Sequence, residues 1–236
     1  MNPCRRRFLL QSGALLAGIP LVHSMHHVAL LGDSIFDNGS YTGGKPDVIA
    51  QVRGHLPPGW KASLLAVDGA TTESIPSQLS RLPRDATHLV MSVGGNNALM
   101  RQDLLDKPVR SSADAFDMLA NAVKEFEASY SKAVDACTRS GLPLVVCTIY
   151  NGNFADAGFQ QRAAVALSAF NDLIFRVSTD KQLKVIELRQ VCNKPEDFAN
   201  PIEPSSVGGD KIAKAIVQAV TEPVEARRGA RILGSD

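Results

Sequence analysis

Val28-Ala29-Leu30-Leu31-Gly32-Asp33-Ser34 is a short apolar run that stops on a glycine, an acid and a serine. The run reads as a buried β-strand, and the triplet after it reads as a turn at the carboxyl edge of a sheet, where open α/β folds carry their chemistry. Two further runs end in the same way. Leu64-Leu65-Ala66-Val67 leads into Asp68-Gly69, and Leu89-Val90-Met91-Ser92-Val93 leads into Gly94-Gly95-Asn96-Asn97. Three loops at one edge bring a serine hydroxyl, a glycine amide and an asparagine carboxamide toward a shared crevice, a donor set suited to acyl transfer.

Outward from these runs, apolar segments near 27–31, 62–67, 88–93, 143–148 and 183–187 alternate with amphipathic stretches of helical period. The strands are nearly continuous in Val, Ile, Leu and Ala, as expected where helices cover both faces of a parallel sheet. The pattern predicts a three-layer α/β domain with five parallel strands. Helix signals agree: Lys45-Pro46-Asp47 opens one helix toward Leu56, Ser111 to Asp114 caps a long one ending at Ser140-Gly141, and Pro204 starts the last near Ser205. The loop from Asp33 to Gly44 is expected to wall the crevice. Trp60, Phe116, Phe126 and Phe170 fall in apolar patterns and read as packing residues.

The chain has 236 residues, 44% of them hydrophobic and 21% charged, which is enough for one sizeable core. A net charge of +1 with interspersed signs leaves no footprint for nucleic acid. Cys4, Cys137, Cys147 and Cys192 form no Cys-x-x-Cys pair and read as buried or free thiols, and no His/Cys spacing suggests a metal. Neither a metal nor a cofactor is expected.

Residues 1–24 begin Cys4-Arg5-Arg6-Arg7-Phe8 and continue as a short apolar stretch to Val22, the pattern of a twin-arginine leader too short for a stable membrane span. Cleavage after Ser24 would place the protein in the periplasm or beyond, whereas translation from Met25 would leave it cytoplasmic. The folded domain is then expected over 25–222, with 223–236 as a flexible tail.

With these blocks in order, the chain resembles the SGNH or GDSL family of serine esterases and lipases over about residues 26–220. Gly32-Asp33-Ser34-Ile35, Gly69 and Gly94-Gly95-Asn96-Asn97 correspond to its first three blocks. The fourth departs from the pattern: Asn200-Pro201-Ile202-Glu203 stands where the family carries Asp-x-x-His. The resemblance implies a flavodoxin-like fold with strand order 2-1-3-4-5. It also implies hydrolysis of a small-molecule carboxylic ester, of short acyl or acetyl-sugar type, through a Ser34 acyl-enzyme.

In that scheme Ser34 N–H, Gly69 N–H and the Asn96 carboxamide hold the oxyanion. Glu203 would accept the serine proton, with Asn200 orienting it; Asp197 and Glu196 are the alternative carboxylates. No histidine can replace the missing one within one subunit, because His23 belongs to the leader and His26, His27, His55 and His88 all precede strands. A five-residue strand at about 3.3 Å per residue puts them roughly 16 Å from the serine edge. Asp33, Thr71, Thr72, Asn97, Tyr41 and Tyr150 lie on carboxyl-edge loops and are candidates to brace those loops or contact substrate. Two rival readings share the scaffold. One is a binding module whose pocket takes an acyl or carboxylate group without activating Ser34; the other, a nucleotide or phosphate binder, lacks the glycine motif it would need.

Overall fold

The computed structural model describes residues 25–222 and 231–234; the leader reading falls outside the described residues. Strand β1 (His26–Gly32) pairs with β2 (Trp60–Leu64) on one side and β3 (His88–Ser92) on the other; β4 (Leu144–Cys147), β5 (Lys184–Ile186) and β6 (Arg231–Leu233) follow. All pairs are parallel and the order is β2-β1-β3-β4-β5-β6. The switch point falls between β1 and β3, so their following loops open onto one crevice.

Six strands rather than five form the sheet. Arg231–Leu233, read from the sequence as part of a flexible tail, pairs in parallel with β5 through Lys184↔Arg231 to Ile186↔Leu233. A three-residue run is too short to register as a strand by alternation; its partner supplies the order. The second strand also ends earlier than expected. After Leu64 the amides of Leu65 and Ala66 both donate to the Leu30 carbonyl, and that of Val67 to Gly32, so the chain kinks before Asp68-Gly69.

Alternation along the strands builds two cores. On one face Val28, Leu30, Val90, Val145 and Ile186 share a buried cluster with residues of α1 (Val48–His55). On the other, Ala29, Leu31, Leu89, Met91 and Val146 pack on α2 (Ile75–Leu79). Helix α3 (Gly95–Leu99) follows β3 directly, and α4 (Ser112–Thr138) and α5 (Ala157–Asp180) complete the second layer. After the short α6 (Leu188–Val191), α7 (Ser206–Thr221) joins α1 on the first layer. The caps sit where the sequence puts them: Asp47 accepts the Ala50 amide, Ser111 that of Asp114, and Ser205 those of Val207 and Gly208. Cys137, Cys147 and Cys192 are buried free thiols. Among the described residues no helix is long and apolar enough to cross a membrane.

Gly32 fixes where β1 ends. Its φ is +133°, and a Cβ there would lie 1.8 Å from the Ser92 carbonyl oxygen of β3. Buried Gln78 grips the same residue, accepting from Gly32 N at 2.8 Å and donating to Gly32 O at 2.7 Å. Gly32→Ala therefore combines backbone strain with a clash against main chain that cannot retreat. Its expected cost is about 2–5 kcal/mol, read as a fall in the urea midpoint at unchanged slope.

Candidate active site

Ser34 occupies the first turn beyond β1, whose geometry its neighbours set: the amides of Phe36 and Asp37 both donate to the Asp33 carbonyl, and Asp33 Oδ1 accepts the Ile35 amide at 3.1 Å. Asp33 thus braces the turn that presents the serine. Asn96 lies in the first turn of α3, held by a donation from its Nδ2 to the Ala70 carbonyl at 2.9 Å. That bond ties the β3 loop to the Gly69-Ala70 turn beside β1, and one carboxamide N–H remains for another acceptor. Gly69 has φ +76° with open space around it.

The fourth loop brings Glu203. Asn200 Oδ1 accepts the amides of Ile202 and Glu203, both at 2.9 Å, which closes a tight turn and aims the Glu203 side chain. Tyr150 OH donates to the Ile202 carbonyl at 2.6 Å, and the Asn153 amide donates to Pro201. Asn38, fully buried, accepts the Val48 amide and donates to the Pro204 carbonyl at 3.1 Å, linking the serine loop directly to the Glu203 loop.

These loops surround a cavity of about 490 Å³. Asp33, Ser34, Asn96, Tyr150 and Glu203 all line it; Gly69, Thr71, Thr72, Asn97 and Tyr41 do not. Asn97 instead bonds Thr72 twice, accepting its amide and donating to its hydroxyl. Thr71 closes a capping box with Ser74, and Tyr41 donates to Asp68 at 2.6 Å. These polar groups are consumed in holding the loops together.

The electrostatics of the crevice are acidic. Glu203 is 5% exposed and its Oε2 is buried without a hydrogen-bond partner. Burial pushes its carboxyl above the usual range, the Ser34 hydroxyl beside it pulls it down, and Asp68 pushes it up again. Burial, with Glu203 and Asp68 adding to it, raises Asp33 to about 7.

Asp197, the alternative acid, is spent elsewhere: it is buried, pairs with Lys211 at 2.7 Å and accepts the Asn193 and Lys194 amides. The histidines sit as expected at the far edge. His27 bridges Asp85 and Ser63, His55 meets Asp210, and the rings of His26 and His88 pack around Trp60. Among the described residues no cluster of His, Cys, Asp or Glu could hold a metal ion.

The model of the GDSL-like Lipase/Acylhydrolase family matches residues 30–207, spanning all four loops. The chain belongs to this family. By sequence, no protein of curated function matches it. Solved structures share its fold at low identity. A lipase from goat rumen metagenome superposes with a TM-score of 0.66 at 18% identity, over 85% of this chain and 100% of that one. An extracellular lipase from Streptomyces rimosus gives 0.63 at 15%, over 82% and 99%. A catalytic mutant of an acetylxylan esterase from Geobacillus stearothermophilus gives 0.60 at 15%, over 86% and 97%.

Asn38 and Gln78 escaped the sequence reading because a buried amide that bridges distant main chain leaves no local pattern. Phe116, read as core or surface packing, is 71% exposed and stands on the cavity wall.

The raised Asp33 carboxyl has a consequence for stability. The folded protein keeps this proton up to about pH 7, whereas the unfolded chain releases it near about pH 4. The Asp33 contribution is therefore full below about pH 4 and is lost as pH rises through about 7. Asp33→Asn should flatten the stability profile between those values relative to the parent, measured by urea unfolding at stepped pH.

Proposed function

We propose that this protein is a serine ester hydrolase in which Ser34 is the nucleophile and Glu203 the general base. The observation that carries the reading is the placement of a buried carboxyl with an unpartnered oxygen beside the Ser34 hydroxyl, in a cavity that also holds Asn96. The family match and its lipase and esterase relatives in fold support ester hydrolysis as the reaction class.

In the proposed sequence ionised Glu203 takes the Ser34 proton as Oγ bonds to the ester carbonyl carbon. The resulting oxyanion accepts hydrogen bonds from the Ser34 amide and the second Asn96 N–H, whereas Gly69, expected from the sequence as a third donor, lies off the cavity lining. Collapse breaks the bond to the alcohol oxygen, which receives the proton from Glu203; water then attacks the acyl-enzyme as the same carboxylate accepts its proton, and the second collapse breaks the acyl bond to Ser34 Oγ, which takes that proton back as the acid leaves. A free glutamate, with a pKa of about 4.3, is a weak base toward a serine, and burial of the kind seen at Glu203 brings its basicity closer to the task. Tyr150 and Asn200 act as positioning residues that hold the Glu203 loop, and Asp33 positions Ser34.

A fluorophosphonate probe should label the parent and not Ser34→Ala. Absence of label in the parent would favour the second reading, an acyl- or carboxylate-binding module. That alternative draws on the same raised Glu203 carboxyl, since its protonated form cannot accept a proton. Asn96→Ala should lower kcat by about 10²–10³.

Because the base must be ionised, ester turnover should fall as pH drops through the raised Glu203 pKa, at a midpoint above that of an ordinary glutamate. Glu203→Gln should abolish turnover without unfolding the protein, and Glu203→His should move the acidic limb toward about 6.5. An active Glu203→Gln protein would rule out the base assignment. The leader reading implies export, and N-terminal sequencing of the exported protein should find Met25 first.

A further inference from the structure

The cavity extends well beyond what an acetyl group would fill, and its far walls are hydrocarbon. One stripe of α5 forms a wall: Phe159, Ala163, Ala166 and Phe170 recur at the spacing of a single helix face, and they span about 16 Å along the axis. The two alanines between the aromatics leave the room. The facing wall comes from Leu99 at the end of α3 and Leu119 of α4, and exposed Phe116 and Val165 stand at the mouth.

Charge is absent from the depth of this arm. Asp33 and Glu203 sit at the Ser34 end, and the two arginines on the lining are neutralised, Arg101 by Glu125 and Arg162 by Asp106. Beyond Asn96, the uncharged amides on the lining are Gln102, Asn151 and Gln161, outnumbered by its apolar side chains, whereas a sugar would need several polar partners that converge. The arm is also built from the helix that carries Asn96, through Ala98 and Leu99, and from Leu104 and Leu105 on the way to α4.

We propose that this arm is an acyl-chain site, and that the substrates are esters of medium to long unbranched fatty acids and not of acetate. The inference rests on the Ser34 hydrolase reading and specifies its substrate. Ala166, half-buried in the middle of the stripe, sets the usable length of the chain.

The test uses p-nitrophenyl acetate, butyrate, octanoate and decanoate with the full domain. Each methylene drawn into the arm should raise kcat/KM by about fourfold until the arm is full. Ala166→Phe should lower the octanoate-to-acetate ratio of kcat/KM at least tenfold, and Phe116→Asp should lower it less; circular dichroism and thermal melting check that each variant is folded.

Binding of cis-parinaric acid to Ser34→Ala provides a readout independent of catalysis: it should bind, be displaced by decanoate and not by acetate, and weaken in the Ser34→Ala/Ala166→Phe double variant. Acetate turned over as fast as octanoate, together with no fatty-acid binding, would overturn the acyl-site inference and leave the Ser34 reading standing. Fatty-acid binding without hydrolysis of any ester would overturn the hydrolase reading and leave the acyl site standing.

Discussion

The close approach of β1 to β3 at Gly32 is the constraint on which the rest of this architecture depends. A backbone at φ +133° pressed against the Ser92 carbonyl admits no side chain, and the paired bonds from Gln78 hold it there. That packing ends the strand and starts the turn in which Asp33 gathers the following amides. It thereby fixes where the Ser34 hydroxyl emerges. The same approach keeps the β1 and β3 loops side by side, so Asn96 can reach the Ala70 carbonyl and lie in the cavity with Ser34.

Against this rigid edge, the Glu203 loop is held by side chain to main chain bonds instead of by the sheet. Asn200 closes its turn, Tyr150 pins the Ile202 carbonyl, and Asn38 ties Pro204 to the serine loop. The loop so held carries an acid where the family resemblance leads one to expect an imidazole. The electrostatic cost is visible in the raised Asp33 and Glu203 carboxyls, two buried acids near the Ser34 hydroxyl with Asp68 adding to both. Asp33 keeps its proton up to about pH 7, and the raised carboxyl of Glu203 is a stronger base than a free glutamate in the mechanism proposed above.

Much of the fold was legible in the chain. Continuous Val, Leu and Ala runs announced parallel strands covered on both faces, Asp47, Ser111 and Ser205 announced helix starts, and the histidines before strands were correctly read as remote from Ser34. The strand order followed from the family resemblance. Where the reading fell short, distant partners were the reason. The β6 run is ordered by β5, and the second strand kinks because two amides share the Leu30 carbonyl. Thr71 and Asn97, plausible substrate contacts by position, turn their polar groups to neighbouring loops.

The sequence by itself determined the three-layer α/β class, the strand ends that carry Ser34, Gly69 and Asn96, and the presence of Glu203 before the Pro204 helix start, because strand hydrophobicity, turn residues and residue identity are local properties. Only the tertiary structure decided that Glu203 lies beside Ser34, that Asn38 and Gln78 hold the loops, and that two alanines on α5 open an apolar arm lined by Phe116. Those features arise between residues far apart in the chain, and the space between side chains is set by how helices pack, which no single segment encodes.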